Sequence, residues 1–102
     1  MTSIGALQKA LVAKGWSDVE FQPVENAALT DVGIKEAGLL FRGIYRIEVY
    51  HVADADKLSD VAGFFAETGD PVLTSGPLVV LVPSGRGDAE VIEILNELGF
   101  SR

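Results

Sequence analysis

The sequence predicts an α/β fold of the mixed α+β kind, with helices packed on a sheet. Three observations support this prediction. Apolar residues recur at helical spacing in three segments, YRIEVYHV alternates as a strand does, and PLVVLVP is apolar at successive positions. A strand that is apolar on both faces is typical of the interior of a sheet covered on both sides. The length of 102 residues fits a single domain, residues 1–102.

The first predicted helix runs from Ser3 to Lys14. Ser3 is a suitable N-cap, and Gly15 is suited to end the helix. Trp16 follows at the position where a hydrophobic residue often packs back on the last turn. The residues expected to face the core recur at helical spacing: Ile4, Leu7 and Leu11.

Two strands are predicted next. The segment from Asp18 to Val24 alternates, and Pro23 restricts it to an edge of the sheet or to its own end. Residues 25–33 are expected to form a loop or an irregular entry into the next strand. Ile34 to Phe41 follows as a strand that Gly38 interrupts, and Arg42-Gly43 is suited to a tight hairpin turn, because glycine tolerates a positive φ.

Ile44 to Val52 is the clearest strand of the first half. Side chains alternate between the two faces of a strand, so this segment divides into two sets. One face is expected to carry Tyr45, Ile47, Val49 and His51, and the other Arg46, Glu48 and Tyr50.

The second half predicts a helix, a strand and a helix. Asp54 to Thr68 is the first of these helices, ending at Gly69, with an inward stripe of Leu58, Val61, Ala62 and Phe65. The segment GDPVLTSGP is expected to be a connecting loop. PLVVLVP is the strand, Asp88 to Leu98 is the last helix, and Gly99-Phe100 is a suitable C-terminal cap.

The predicted order is therefore α-β-β-β-α-β-α. The first three strands are expected to pair as an antiparallel meander. Because a helix connects the third strand to the fourth, the fourth is expected to lie parallel to a neighbour as the central strand of the sheet.

Composition disfavours several classes of function. Lys and Arg total 8 against 15 Asp and Glu, a net charge of −7, so approach to nucleic acid is opposed by charge. The chain has no cysteine, which excludes disulfides, thiolate metal sites and cysteine nucleophiles. No apolar run approaches the roughly 20 residues of a membrane span, and no secretory signal is visible at the N-terminus. A cytoplasmic protein is the expectation.

Two acidic residues carry a resemblance to a known family. Asp31 stands in LTDVGI before the second strand, and Glu48 stands in RIEVYHV on the third. With the order of elements, this pattern resembles the restriction-endonuclease-like (PD-(D/E)xK) superfamily. The resemblance implies a nuclease in which Asp31 and Glu48 hold Mg²⁺ at the scissile phosphate.

The sequence departs from that family at two positions. Tyr50 occupies the place of the lysine that follows the second acid, and a neutral tyrosine cannot supply that cation. The first helix also lacks the acidic residue that the family usually has there. On the alternative interpretation Arg46 and Glu48 are cross-strand partners on the wetter face, His51 is a partly exposed residue, and no cofactor is bound.

The loop PSGRGD is a candidate anion site. A glycine-rich loop before a helix presents unpaired N–H groups, and Arg86 adds a forked donor; the candidate residues are Ser84, Gly85, Arg86 and Gly87. The spacing matches neither the dinucleotide fingerprint nor the P-loop, and Asp88 is explained as an ordinary helix cap.

The sequence as a whole favours a small, acidic, non-enzymatic protein that acts through protein–protein contact. It would work as a homo-oligomer or as one subunit of a complex. The expected contact surfaces are the edge strand at Val19 to Phe21 and the exposed part of the strand from Tyr45 to Val52. The alternatives are the Mg²⁺-dependent nuclease and the small-anion binder.

Overall fold

A computed structural model describes residues 1–16, 19–25, 27–42, 45–83 and 88–102. Its helices are α1 (Ile4–Ala13), α2 (Ala27–Asp31), α3 (Leu58–Ala66) and α4 (Asp88–Glu97), and a 3₁₀ turn (Ala55–Lys57) leads into α3. Its strands are β1 (Glu20–Pro23), β2 (Ile34–Arg42), β3 (Tyr45–Val52), β4 (Val72–Ser75) and β5 (Leu78–Leu81). The predicted mixed α+β fold, with helices packed on a sheet, is confirmed.

The described strands form one sheet in the order β1-β2-β3-β5-β4. Each pair of neighbours in this sheet is antiparallel. The prediction of one parallel central strand is therefore wrong. β5 lies inside the sheet and is buried on both faces as expected, but it runs antiparallel to β3 and to β4.

The difference arises from a strand within a segment that the sequence predicts to be a loop. GDPVLTSGP contains β4, which is four residues long. A tight turn follows, in which Ser75 pairs with Leu78 and Gly76 adopts a φ of 58°. The chain thus crosses from β3 through α3 to β4 and then returns as β5 between them. The two strands joined by the helical crossover run in the same direction without being neighbours.

A second short element also lies in a predicted loop. Residues 25–33 contain α2, whose Leu29 packs on the sheet. Gly33 adopts a φ of 88° and leads into β2. The register of β2 on β3 shifts between Ile34 and Glu36, a local irregularity of the bulge type at this end of the strand. The predicted turn glycine, Gly43, lies outside the described residues.

The sheet separates two apolar cores. The larger core lies under α1 and α4, and includes Trp16 and Phe100. The smaller one lies under α2 and α3. The predicted faces of β3 are confirmed for three residues, because Ile47 and Val49 belong to the larger core and Tyr50 packs against the smaller core on the opposite face. The described part of the chain buries no polar or charged residue.

The two edges of the sheet differ. The free side of β4 is covered in part by the C-terminal residues, because Thr74 and Ser101 exchange backbone hydrogen bonds of 2.8 and 3.1 Å. β1 forms the other edge and ends at Pro23, as predicted for an edge strand. Proline and the exposed charge of Glu20 are features that disfavour the addition of a further strand.

Candidate functional site

The two carboxylates of the nuclease hypothesis lie on different parts of the fold. Asp31 is exposed and is the last residue of α2 rather than the start of a strand. Glu48 is half-buried within β3, opposite Leu39 on one side and Leu81 on the other.

The strand register indicates how far apart they are. Asp31 comes three residues before Ile34, and Ile34 pairs with Val52. Glu48 comes four residues before Val52 on β3, so it lies roughly 13 Å along the strand from that pair. Within the described ranges, no three acidic or histidine side chains are grouped so that they could hold a metal ion. The geometry gives the Mg²⁺ hypothesis no support, and the hypothesis stays a prediction.

Glu48 has a partner on its own strand. The Tyr50 hydroxyl donates a hydrogen bond of 3.3 Å to Glu48 Oε1. No salt bridge joins Glu48 to Arg46 in the described part of the chain. Tyr50, which stands where the nuclease hypothesis expects a lysine, therefore binds the carboxylate as a neutral donor. Burial, the charge of Glu48 and this hydrogen bond together raise the pKa of Tyr50 to about 12.

The raised pKa of Tyr50 predicts a loss of stability in strong alkali. Between the ordinary pKa of 10.0 and about 12, the folded protein keeps the proton while the unfolded chain releases it. The stability contribution is complete below pH 10 and is lost as the pH rises through about 12. The free energy of unfolding, measured with urea at each pH, should therefore fall less steeply between pH 10 and about 12 in Tyr50→Phe than in the unchanged chain.

The tyrosine titration gives an independent readout. Because Tyr45 and Tyr50 are the two tyrosines, the ultraviolet difference spectrum of Tyr45→Phe reports Tyr50 alone. A Tyr50 that titrates at its ordinary pKa in the folded protein would contradict the hydrogen-bonded, half-buried hydroxyl.

The third group of candidates cannot be placed. Ser84, Gly85, Arg86 and Gly87 lie outside the described residues, so the anion-binding hypothesis also stays a prediction.

An apolar groove lies between α2 and α3, and we refer to it as the aromatic groove. Its volume is about 490 Å³. α2 and the residues after it form one wall, α3 forms the other, and β2 and β3 form the floor. Its lining residues are Leu29, Val32, Ile34, Tyr50, Lys57, Asp60, Val61, Phe64 and Phe65.

Three aromatic rings line the groove, two on the α3 wall and one on the floor. Phe65 stacks on Tyr50 with 4.3 Å between ring centroids, and Phe64 meets Phe65 edge to face at 5.5 Å. Phe65 is held there because it lies one helical turn after Val61, on the inward face of α3. Phe64, one residue earlier, points away from the core and is 67% exposed.

The opposite wall carries a second exposed apolar residue. Val32, after α2, is 51% exposed and lines the same groove as Phe64. Large apolar side chains that are exposed within one groove are typical of a binding surface, whereas single ones need no explanation. A hollow of about 760 Å³ on the other side of α3 is larger, but none of the large apolar side chains that are exposed among the described residues borders it.

Charged residues stand at the rim of the groove. Lys57 and Asp60 both line it and are exposed. The aliphatic part of Lys57 lies across Gly33, where a Cβ would come within 2.7 Å of Lys57 Cδ. The groove thus combines an apolar floor with one positive and one negative group at its mouth.

The aromatic groove was not predicted, although one signal for it was present. The inward stripe of Leu58, Val61, Ala62 and Phe65 leaves Phe64 outside the core-facing set. A large aromatic residue excluded from the stripe is a candidate for exposure. The wall formed by α2 had no comparable signal, because its segment was assigned to a loop.

Comparison with known proteins gives no relative for this fold or groove. No protein-family model matches the chain, and neither the curated proteins nor the solved structures contain a significant match. In the ranges that the structure describes, no helix has the length and apolar character needed to cross a membrane.

Proposed function

We propose that the protein acts by binding another protein chain through the aromatic groove, without catalysing a reaction. The observation that carries this proposal is the exposure of Phe64, two thirds of whose surface is in solvent beside an apolar groove. Complete burial of a phenylalanine side chain contributes about 1.5–3 kcal/mol. A partner that covers Phe64 and Val32 together therefore gains a central apolar contact of the kind that dominates protein interfaces.

The geometry favours the groove over the two surfaces that the sequence suggested. The β1 edge carries Pro23 and exposed Glu20, which oppose strand addition. On β3, the polar groups of Glu48 and Tyr50 are already hydrogen-bonded to each other rather than open to a partner. The groove instead offers exposed aromatic and aliphatic surface. The cytoplasm remains the proposed compartment, because a chain without cysteine has no disulfides and fits a reducing compartment.

A photo-crosslinking phenylalanine analogue at position 64 tests the proposal. Introduced in the native host, it should yield discrete protein adducts on irradiation, because an interface partner lies against this side chain. The matched control is the same analogue at Val12, which is 45% exposed on α1 and lies away from the groove. Adducts of equal yield at both positions would contradict binding at the groove.

A further inference from the structure

One side of α3 carries an ordered pattern of side chains. Lys57, Asp60, Phe64 and Glu67 are spaced three, four and three residues apart. At 3.6 residues per turn they fall within an arc of about 80°. Lys57 and Glu67 flank α3 as its capping positions, and both have helical backbone angles. Phe64 therefore lies between a positive group at one end of this side and a negative group at the other.

These terminal charges have no partner of their own within the described residues. The salt bridge in that part of the chain joins Lys14 to Glu97, far from α3, and neither Lys57 nor Glu67 takes part in one. Both side chains are exposed. The surface next to the groove thus offers two oppositely charged groups separated by the length of the helix.

We infer that the partner bound at the aromatic groove is a second copy of this chain, related by a two-fold axis that pairs the two α3 helices antiparallel. This inference rests on the proposed function and names its partner. Antiparallel pairing places Lys57 of each copy opposite Glu67 of the other. Because a two-fold axis repeats every contact, the interface then contains two Lys57–Glu67 pairs. The same register places Phe64 beside Asp60 of the second copy, at the mouth of its groove.

The charge pattern favours a second copy over a basic partner. The net charge of −7 would attract a basic chain, but Lys57 at the groove rim would then face like charge. A second copy instead places its Glu67 opposite Lys57, and the repulsion between two copies that each carry −7 is weakened by salt. A single pair of short helices is at the small end of specific interfaces, below roughly 1,200 Å², so the dimer should form at micromolar rather than nanomolar concentrations.

Charge reversal tests the arrangement by analytical ultracentrifugation. The unchanged chain should sediment as a monomer–dimer equilibrium. Lys57→Glu and Glu67→Lys should each weaken self-association about tenfold or more, because each replaces two attractive pairs with two repulsive ones. Mixed together, the two variants should form a heterodimer, in which both pairs are attractive again. The doubly reversed chain, K57E with E67K, should dimerise as the unchanged chain does.

The controls carry the same change of charge elsewhere. Lys9→Glu lies on α1 and Glu90→Lys on α4, both exposed, and neither should alter dimerisation by more than about twofold. Circular dichroism checks that every variant is folded. A chain that stays monomeric at all soluble concentrations, or two variants that fail to associate when mixed, overturns the inference.

The outcomes separate this inference from the proposed function. A monomeric chain whose position 64 crosslinks to a different protein overturns the dimer and leaves binding at the groove standing. A monomeric chain with no adduct at position 64 overturns both.

Discussion

Replacing Trp16 with alanine is expected to lower the free energy of unfolding by about 3–5 kcal/mol, the largest effect of any substitution considered for this protein. Trp16 is 1% exposed and belongs to the larger core, which lies under α1 and α4. Its amide donates to the Leu11 carbonyl, which turns the chain back on the end of α1. A domain of this length has roughly 5–15 kcal/mol of stability, so the variant should be close to unfolded at the lower end of that range.

Urea and thermal unfolding followed by far-ultraviolet circular dichroism measure this effect. Fluorescence is unsuitable, because Trp16 is the only tryptophan and the substitution removes it. Val12→Ala is the matched control, since Val12 is 45% exposed near the same end of α1 and should change stability by less than about 0.5 kcal/mol. A loss below about 1 kcal/mol for Trp16→Ala would contradict the burial of its ring.

Adding one methyl group at Gly38 is expected to destabilise the protein by about 1–3 kcal/mol. Gly38 lies in the interior of β2, paired with Pro23 on one side and Val49 on the other. A Cβ there would lie 2.5 Å from Phe21 Cζ and 2.9 Å from the Gln22 carbonyl oxygen. The ring of Phe21 covers the glycine, so Gly38→Ala displaces this ring, which packs against the larger core.

A double-mutant cycle isolates the contact. With Phe21→Ala already present, Gly38→Ala should cost at least about 0.5 kcal/mol less, because the ring no longer occupies the space. Gly63→Ala is the control for an added methyl group. A Cβ at Gly63, on α3, meets no atom within 4 Å, so this change should raise stability by about 0.5–1 kcal/mol. Equal costs of Gly38→Ala with and without Phe21 would show that the ring is not the obstacle.

The parts of the fold that the sequence predicted correctly have a strong period and enough length. α1 and α4 show apolar residues at helical spacing over ten residues each. β3 alternates over eight residues, and its two faces join different cores. Such segments specify both their own conformation and the face that they bury. In a strand, for example, a shift of the register by one residue would move the apolar side chains from the core to the solvent.

The parts that were wrong are short and lie beside turn-forming residues. α2 has five residues and β4 has four, too few for a period to be recognised. β4 is flanked by Asp70-Pro71 and Gly76-Pro77, which favour a loop. Missing β4 also produced the wrong strand direction, because the hairpin from β4 to β5 reverses the chain after the crossover.

Predicting the candidate site required contacts between distant segments. The sequence identified Glu48 and Tyr50 as neighbours on one face of β3, and they are hydrogen-bonded. It did not indicate that Asp31 ends a helix, nor that the residue after it, Val32, stands across a groove from Phe64. The exposure of Phe64 was implied by helical geometry, but the opposing wall depends on tertiary packing.

The strand order has a consequence for how the protein folds. β2 with β3 and β4 with β5 are hairpins formed by adjacent stretches of chain, and among the described strands β3–β5 is the pairing that unites them. Local hairpins form quickly, whereas the β3–β5 pairing must close the connection from Ala53 to Pro77, which costs more chain entropy. We expect formation of the β3–β5 pairing to set the folding rate, with α3 as the element that connects the two hairpins and brings them together.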